Sequence, residues 1–262
     1  MSGPSAAEAR GSRTPEDFDE VFARVRAAPA TNALFDQVLG PFPSHTEPFS
    51  LVPRDGLEEV LAELRLEPGD HLVDLCCGRG GIGLWFASEK GARLTGVDFS
   101  PVAVAEAKQR ASLFASGGRA SFVAADAAHT SLAAGTVDAL VCIDALQLVT
   151  DRAGLLQEVA RLLRPGGRAV ITTWERRGSE PERMPTDVRG LVADAGLDVV
   201  RSEERPDWLE RQRAFLERVV AADGPDAEPA LHALAEEGRN FLANVSRVRR
   251  ILVVAEPRQT RA

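Results

Sequence analysis

Asp74 closes a short apolar run, His71-Leu72-Val73, and stands four residues before Gly78. A turn follows with glycines at 78, 80, 81 and 83, and then an apolar, helix-like segment. Glycines let a backbone bend through positive φ and come close to a ligand, and the helix beyond presents unpaired N–H groups. The pattern reads as strand, ligand-binding turn and helix. Two more strand-like runs also end in acids, Gly96-Val97-Asp98 and Ser121-Phe-Val-Ala-Ala-Asp126. Three carboxylates then stand at the carboxyl ends of successive parallel strands, the edge where open α/β sheets bind ligands.

Two ligands compete for this edge. Gly78-x-Gly80-x-x-Gly83, with Asp98 20 residues beyond Gly78, is literally the dinucleotide fingerprint. That reading predicts a nicotinamide-dependent oxidoreductase. Asp74 speaks against it, because a carboxylate beside the turn repels a pyrophosphate but accepts hydrogen bonds from an ammonium group. A ligand with a cation, a ribose and an adenine but no phosphate suits all three acids. S-adenosylmethionine is such a ligand.

At these residues the chain resembles the class I S-adenosylmethionine-dependent methyltransferases. Their first motif runs acidic-x-Gly-x-Gly-x-Gly, here Asp74-Leu-Cys76-Cys77-Gly78-Arg79-Gly80. Asp98-Phe99, Asp126-Ala127, the run Thr136 to Leu146 with Asp144, and the Pro165-Gly166-Gly167 turn follow in the family's order. The likeness is close over residues 55–175 and loose elsewhere. It implies that Asp74, Cys76, Gly78, Gly80, Asp98, Phe99, Asp126, Ala127 and Asp144 hold S-adenosylmethionine. The acceptor would be a small molecule of secondary-metabolite or quinone type, methylated at O, N or C by in-line displacement. Cys76 departs from the pattern, since the family places a glycine there. That departure keeps a non-catalytic binding protein as a third reading.

The sulfonium needs an aligned acceptor more than it needs acid–base chemistry, but a base helps where the acceptor is a hydroxyl or a protonated amine. His129 and Asp144 are the candidate catalytic groups, the former because a histidine titrates near neutrality. His129 also reads as a solvated loop residue, and Asp144 as a cap. His45, Phe49, Trp174, Glu175 and Trp208 are candidates for the acceptor site. Glu175-Arg176-Arg177 equally reads as a solvated surface, as do Arg247, Arg249 and Arg250. Asp98 is expected at an exposed strand end, with Ser100 capping the next helix. A nucleophilic role for Cys76 or Cys77 is rejected, because neither has a nearby histidine in sequence and no covalent relay is needed.

The elements that must position these groups alternate. Strands are predicted near 71–75, 93–97, 120–124, 138–143, 168–173, 197–203 and 246–255. Helices are predicted near 56–65, 82–89, 101–115, 152–163 and 185–195. This is a doubly wound α/β pattern with a mostly parallel seven-stranded sheet, Rossmann-like in the family's manner. The expected division is a disordered tail at 1–14, a helical cap at 15–54, the cofactor-binding core at 55–205, a helical lid at 206–244 and a final strand and tail at 245–262. Phe18, Val21, Phe22 and Val25 give the first cap helix its spacing, and Leu34, Phe35 and Leu39 the second.

Hydrophobic residues make up 44% of the 262 and charged residues 27%, an ordinary soluble composition. A net charge of −8 and a pI near 5.2 argue against a nucleic-acid partner. Three cysteines, two of them adjacent, give no disulfide framework, and a cytoplasmic location is expected. The scattered histidines and cysteines lack zinc-like spacing, and no apolar run is long enough to span a membrane. A monomer or a homodimer is expected.

Overall fold

The computed structural model describes residues 29–115, 117–178 and 184–258. The expected tail at 1–14 and the helix carrying Phe18 to Val25 lie outside these residues. Helices α1 (Pro29–Leu39) and α2 (Arg54–Glu63) precede the alternating core. The core runs β1 (His71–Leu75), α3 (Gly81–Lys90), β2 (Arg93–Asp98), α4 (Pro101–Ala111), β3 (Ala120–Ala124), β4 (Val137–Ile143), α5 (Arg152–Leu162) and β5 (Leu163–Arg176). It ends with α6 (Val188–Asp194), β6 (Leu197–Glu204), α7 (Pro206–Ala222), α8 (Pro229–Leu242) and β7 (Val248–Pro257).

One seven-stranded sheet results, in the order β3-β2-β1-β4-β5-β7-β6. The first five strands are parallel, and β7 pairs antiparallel with both β5 and β6. The chain leaves β1 toward β2 and β3, then returns to lay β4 on β1's other side. The carboxyl ends of β1 and β4 therefore flank the switch point, where a crevice must open.

Alternation along the strands fills two layers. Leu72, Leu94, Val141, Val170, Leu252 and Val254 meet α2 to α4 on one face. Val73, Val97, Cys142, Ile171, Ile251 and Val253 meet α5 and α6 on the other. Both faces are covered, which is why these strands are apolar runs. Asp151 and Asp187 begin α5 and α6 by accepting the N–H of Gly154 and Gly190, each at 2.8 Å. A third apolar cluster joins Leu39 of α1 to Phe215, Val219 and Leu231 of the helical insertion.

Several boundaries differ from expectation. α4 stops at Ala111 rather than 115, and the chain turns with Leu113 exposed. β5 runs from Leu163 to Arg176 rather than 168–173, taking in Pro165-Gly166-Gly167, because Leu163 pairs with Val137 and β7 continues to pair as far as Arg176 opposite Val248. β7 begins at Val248, after a single 3₁₀ turn at Val245–Arg247. Pairing partners set the strand ends, which local propensity does not see.

The insertion is tied to α2 by a close approach. A Cβ on Gly56 would lie 2.7 Å from the Trp208 ring, which is only 1% exposed. Gly56→Ala overpacks this contact and is expected to cost about 1–3 kcal/mol, a fall in Tm of roughly 2–10 °C by thermal melting.

Candidate active site

The acidic strand ends line a cavity of about 760 Å³ on the carboxyl edge of the sheet. Its floor begins with the glycine turn. Cys76 has φ +58°, Gly78 +51° and Gly80 +74°. A side-chain-bearing residue in this left-handed region costs ~1–3 kcal/mol, a physical reason for glycine at the Cys76 position in sequences of this pattern. Cys76 pays for its place with contacts: its thiol hydrogen-bonds with Cys142 and packs on the β1/β4 side of the core. That hydrogen bond, together with burial, pushes the Cys76 thiol well up, and burial does the same for Cys77. Both thiols are thereby kept protonated and unreactive.

Asp74 is 3% exposed and accepts the Gly83 N–H, while also lining the cavity. Burial, with the charge of Asp98 behind it, pushes its carboxyl up to about 8. Asp98 is 5% exposed, not an exposed strand end. Its two oxygens accept the N–H groups of Gly78 at 2.8 Å and Ser100 at 2.9 Å. The carboxylate thus organises the glycine turn as well as facing the cavity. Ser100 caps α4 as expected, accepting the Ala103 N–H at 2.9 Å.

Phe99, Asp126 and Ala127 continue the same wall. Asp126 also makes an Asx turn with the Ala128 N–H at 2.9 Å. Gly80 is not on the wall. It faces Phe122 and Ala107, where a Cβ would lie 2.7 Å from the Phe122 ring, so its part is packing behind the turn. Asp144 lies at the end of β4 with φ +50°. It accepts from Arg250 at 2.5 Å, Thr172 Oγ1 at 3.0 Å, Ser50 Oγ at 2.8 Å and the Leu51 N–H at 3.1 Å. Four donors occupy its two oxygens.

The other wall is apolar and comes from outside the motifs. Phe35 of α1, Phe49 and Leu51 of the 45–51 segment, Leu148, Trp174 and Leu234 of α8 supply it. The Trp174 ring packs on Phe241 at 5.5 Å. Its indole Nε1 is buried without a hydrogen-bond partner among the described residues. Gln147 and Glu237 were not singled out by motif or pattern, and Phe35 and Leu234 read only as apolar helix positions. Gln147, three residues after Asp144, carried the best available signal.

Several expected site residues stand elsewhere. His129 has an 80% exposed side chain outside the cavity, 3.7 Å from Asp126. His45 has φ +69° and lies on the outer side of its loop, against Phe114. None of the four histidines lines the cavity. Glu175 is 3% exposed because neighbouring strand residues alternate faces, and Trp174 takes the cavity side. It accepts the Val188 N–H at 2.7 Å and pairs with Arg249, so the 175–177 run is not a solvated surface throughout. Trp208 is core, stacked under Arg205 at 4.1 Å. Arg250 is 0% exposed, so the arginine cluster is not a solvated face. Its alternation with Leu252 and Val254, both core, was the signal that it points inward.

Asp98→Ala leaves two buried N–H groups without an acceptor. It is expected to cost roughly 1–3 kcal/mol per group in the unliganded protein, read as a lower urea midpoint at unchanged slope. Asp74 makes stability pH-dependent. Its native carboxyl sits near 8 against an ordinary 3.8, so its contribution is present at low pH and is lost as pH rises through about 8. Between pH 5.5 and 8.5 the unliganded Asp74→Asn protein is expected to lose less melting temperature than the natural one.

The comparisons with known proteins agree with this edge. A methyltransferase-domain family model matches residues 72–167. Methyltransferase GfsG of Streptomyces halstedii is 30% identical over 212 residues, 76% of this chain and 75% of that protein. O-methyltransferase resE of Aspergillus sclerotiorum is 31% identical over 223 residues, 76% and 84% respectively. Among solved structures, the 4+2 cyclase SpnF superposes with TM-score 0.72 at 20% identity, over 95% of this chain and 98% of that one. Haemonchus contortus phosphoethanolamine N-methyltransferase 2 with S-adenosylmethionine gives 0.71 at 18%, over 95% and 61%. At such identities the two structures carry the fold alone. The relatives overturn the dinucleotide reading of Gly78-x-Gly80-x-x-Gly83, and a cavity edged by carboxylates has the donor–acceptor character of a cationic, phosphate-free adenosyl ligand. This chain belongs to the class I S-adenosylmethionine-dependent methyltransferases.

Proposed function

We propose that this enzyme methylates a hydroxyl on a largely apolar small molecule of secondary-metabolite or quinol type. The observation that carries the reading is the division of one cavity into an acidic wall of strand ends and an apolar wall of Phe35, Phe49, Leu148, Trp174 and Leu234. S-adenosylmethionine supplies a methyl group already activated by its sulfonium for in-line displacement. Asp74 and the backbone at Cys76 and Gly78 receive the methionine end, Asp98 the ribose, and Phe99, Asp126 and Ala127 the adenine. The acceptor lies against the apolar wall, beside the Trp174 ring. The N-terminal helices and the 206–244 insertion act together as the cover of this half.

Alignment supplies most of the barrier lowering, of the order of 7–11 kcal/mol for well-oriented partners. With no histidine on the wall, the hydroxyl proton passes to Glu237 of α8 or, for an acidic phenol or quinol, leaves before transfer. The O-acceptor is supported by the relative resE, whose name is that of an O-methyltransferase.

The test is twofold. Calorimetry is expected to show uptake of S-adenosylhomocysteine and none of NADH. At pH 7 uptake should release a proton, seen as a buffer-dependent enthalpy, because a ligand ammonium beside Asp74 ionises it. Labelled S-adenosylmethionine is then offered with phenols, quinols, macrocyclic alcohols and amines, and label should pass to the hydroxylated compounds. Glu237→Gln should lower kcat for an unactivated alcohol by about 10²-fold at unchanged cofactor affinity. Label on the amines alone would overturn the acceptor class.

A further inference from the structure

The segment from His45 to Leu51 crosses the glycine turn. A Cβ on Gly81, at the first position of α3, would lie 1.7 Å from the Thr46 carbonyl oxygen, so only glycine admits this crossing. Phe49, Ser50 and Leu51 then line the cavity opposite the strand ends. The segment is held at both ends. At one end Arg110 donates to the His45 carbonyl at 2.5 Å and to Glu47 at 2.7 Å, with Arg79 3.5 Å from the same carboxylate. At the other, Asp144 accepts from Ser50 Oγ and from the Leu51 N–H. At the first hold the backbone is strained: His45 and Glu47 have φ of +69° and +37°, which side-chain-bearing residues rarely adopt.

Asp144 is itself fixed from behind. Arg250, fully buried, donates to Asp144 at 2.5 Å and to Gln212 of α7 at 2.7 Å. One carboxylate therefore joins the segment, β5, β7 and the helical insertion. Its lone pairs are spent on those neighbours, so its part in the reaction is to place other groups.

We propose that residues 45–51 form a strap running from the glycine turn, where the cofactor binds, to the end of β4, and that Asp144 is the positioning residue that seats it through Ser50 and Leu51. Cofactor exchange then requires this latch to open. The inference rests on the placement of the adenosyl ligand along the acidic wall. It goes beyond that placement in naming what controls entry and exit.

The experiment uses the full chain loaded with labelled S-adenosylhomocysteine and chased with unlabelled compound. Ser50→Ala is expected to speed dissociation about tenfold, the equivalent of one hydrogen bond to a charged group. Ser50→Thr keeps the hydroxyl and should return the rate close to that of the natural protein. Glu47→Gln loosens the opposite end and should act in the same direction. Hydrogen exchange at the Leu51 amide should rise in Ser50→Ala while β1 and β4 amides stay as they were, which a general loss of stability would not produce. An unchanged rate in both Ser50→Ala and Glu47→Gln, or a fast rate that threonine fails to restore, overturns the latch. Failure of the natural protein to take up the compound overturns the latch and the cofactor placement together, whereas uptake with unaltered rates overturns the latch alone.

Discussion

A carboxylate and a guanidinium, both withdrawn from water, meet where β4 ends. Asp144 and Arg250 have side chains 7% and 0% exposed. Separating such a pair by removing one partner is costly, about 3–5 kcal/mol, because the other charge stays buried. The pair persists because every neighbour adds a hydrogen bond: Thr172 from β5, Gln212 from α7, Ser50 and Leu51 from the N-terminal side. Segments far apart in the chain are thereby brought to one point of the cavity. Without this pair the walls above the sheet would lack a common anchor.

A second tension lies across the switch point. Asp74 and Asp98 are both buried, and the charge of one raises the proton affinity of the other. Backbone N–H groups from Gly78, Gly83 and Ser100 relieve part of that repulsion. A cation relieves more. The glycine turn is therefore built on a local electrostatic debt that suits a positively charged ligand and disfavours a phosphate. Cys76, held at φ +58°, shows that this turn tolerates backbone strain when the side chain finds contacts below.

Much of this was readable in the chain. The strands announced themselves as apolar runs because both sheet faces are covered, and their acidic ends marked the ligand edge. Asp74, Cys76, Gly78, Asp98, Phe99, Asp126, Ala127 and Asp144 do share one cavity. What misled was treating polar residues as solvated by default. Glu175 and Arg250 are charged yet buried, each paired with a group more than 70 positions away. His129 stands two residues after a cavity residue, yet its side chain is turned to solvent between the buried Ala128 and Thr130.

Local pattern determined the order of elements, the glycine turn and the acids at the strand ends, since these depend on periodicity and on neighbours within a few residues. The tertiary structure alone decided what lies opposite those acids. Phe35, Phe49, Trp174 and the α8 pair Leu234 and Glu237 come from four separate segments, and no spacing rule relates one segment to another. They converge because the helical insertion and α1 bury a shared apolar cluster beside the sheet, and because one buried ion pair fixes where the connecting chain must pass.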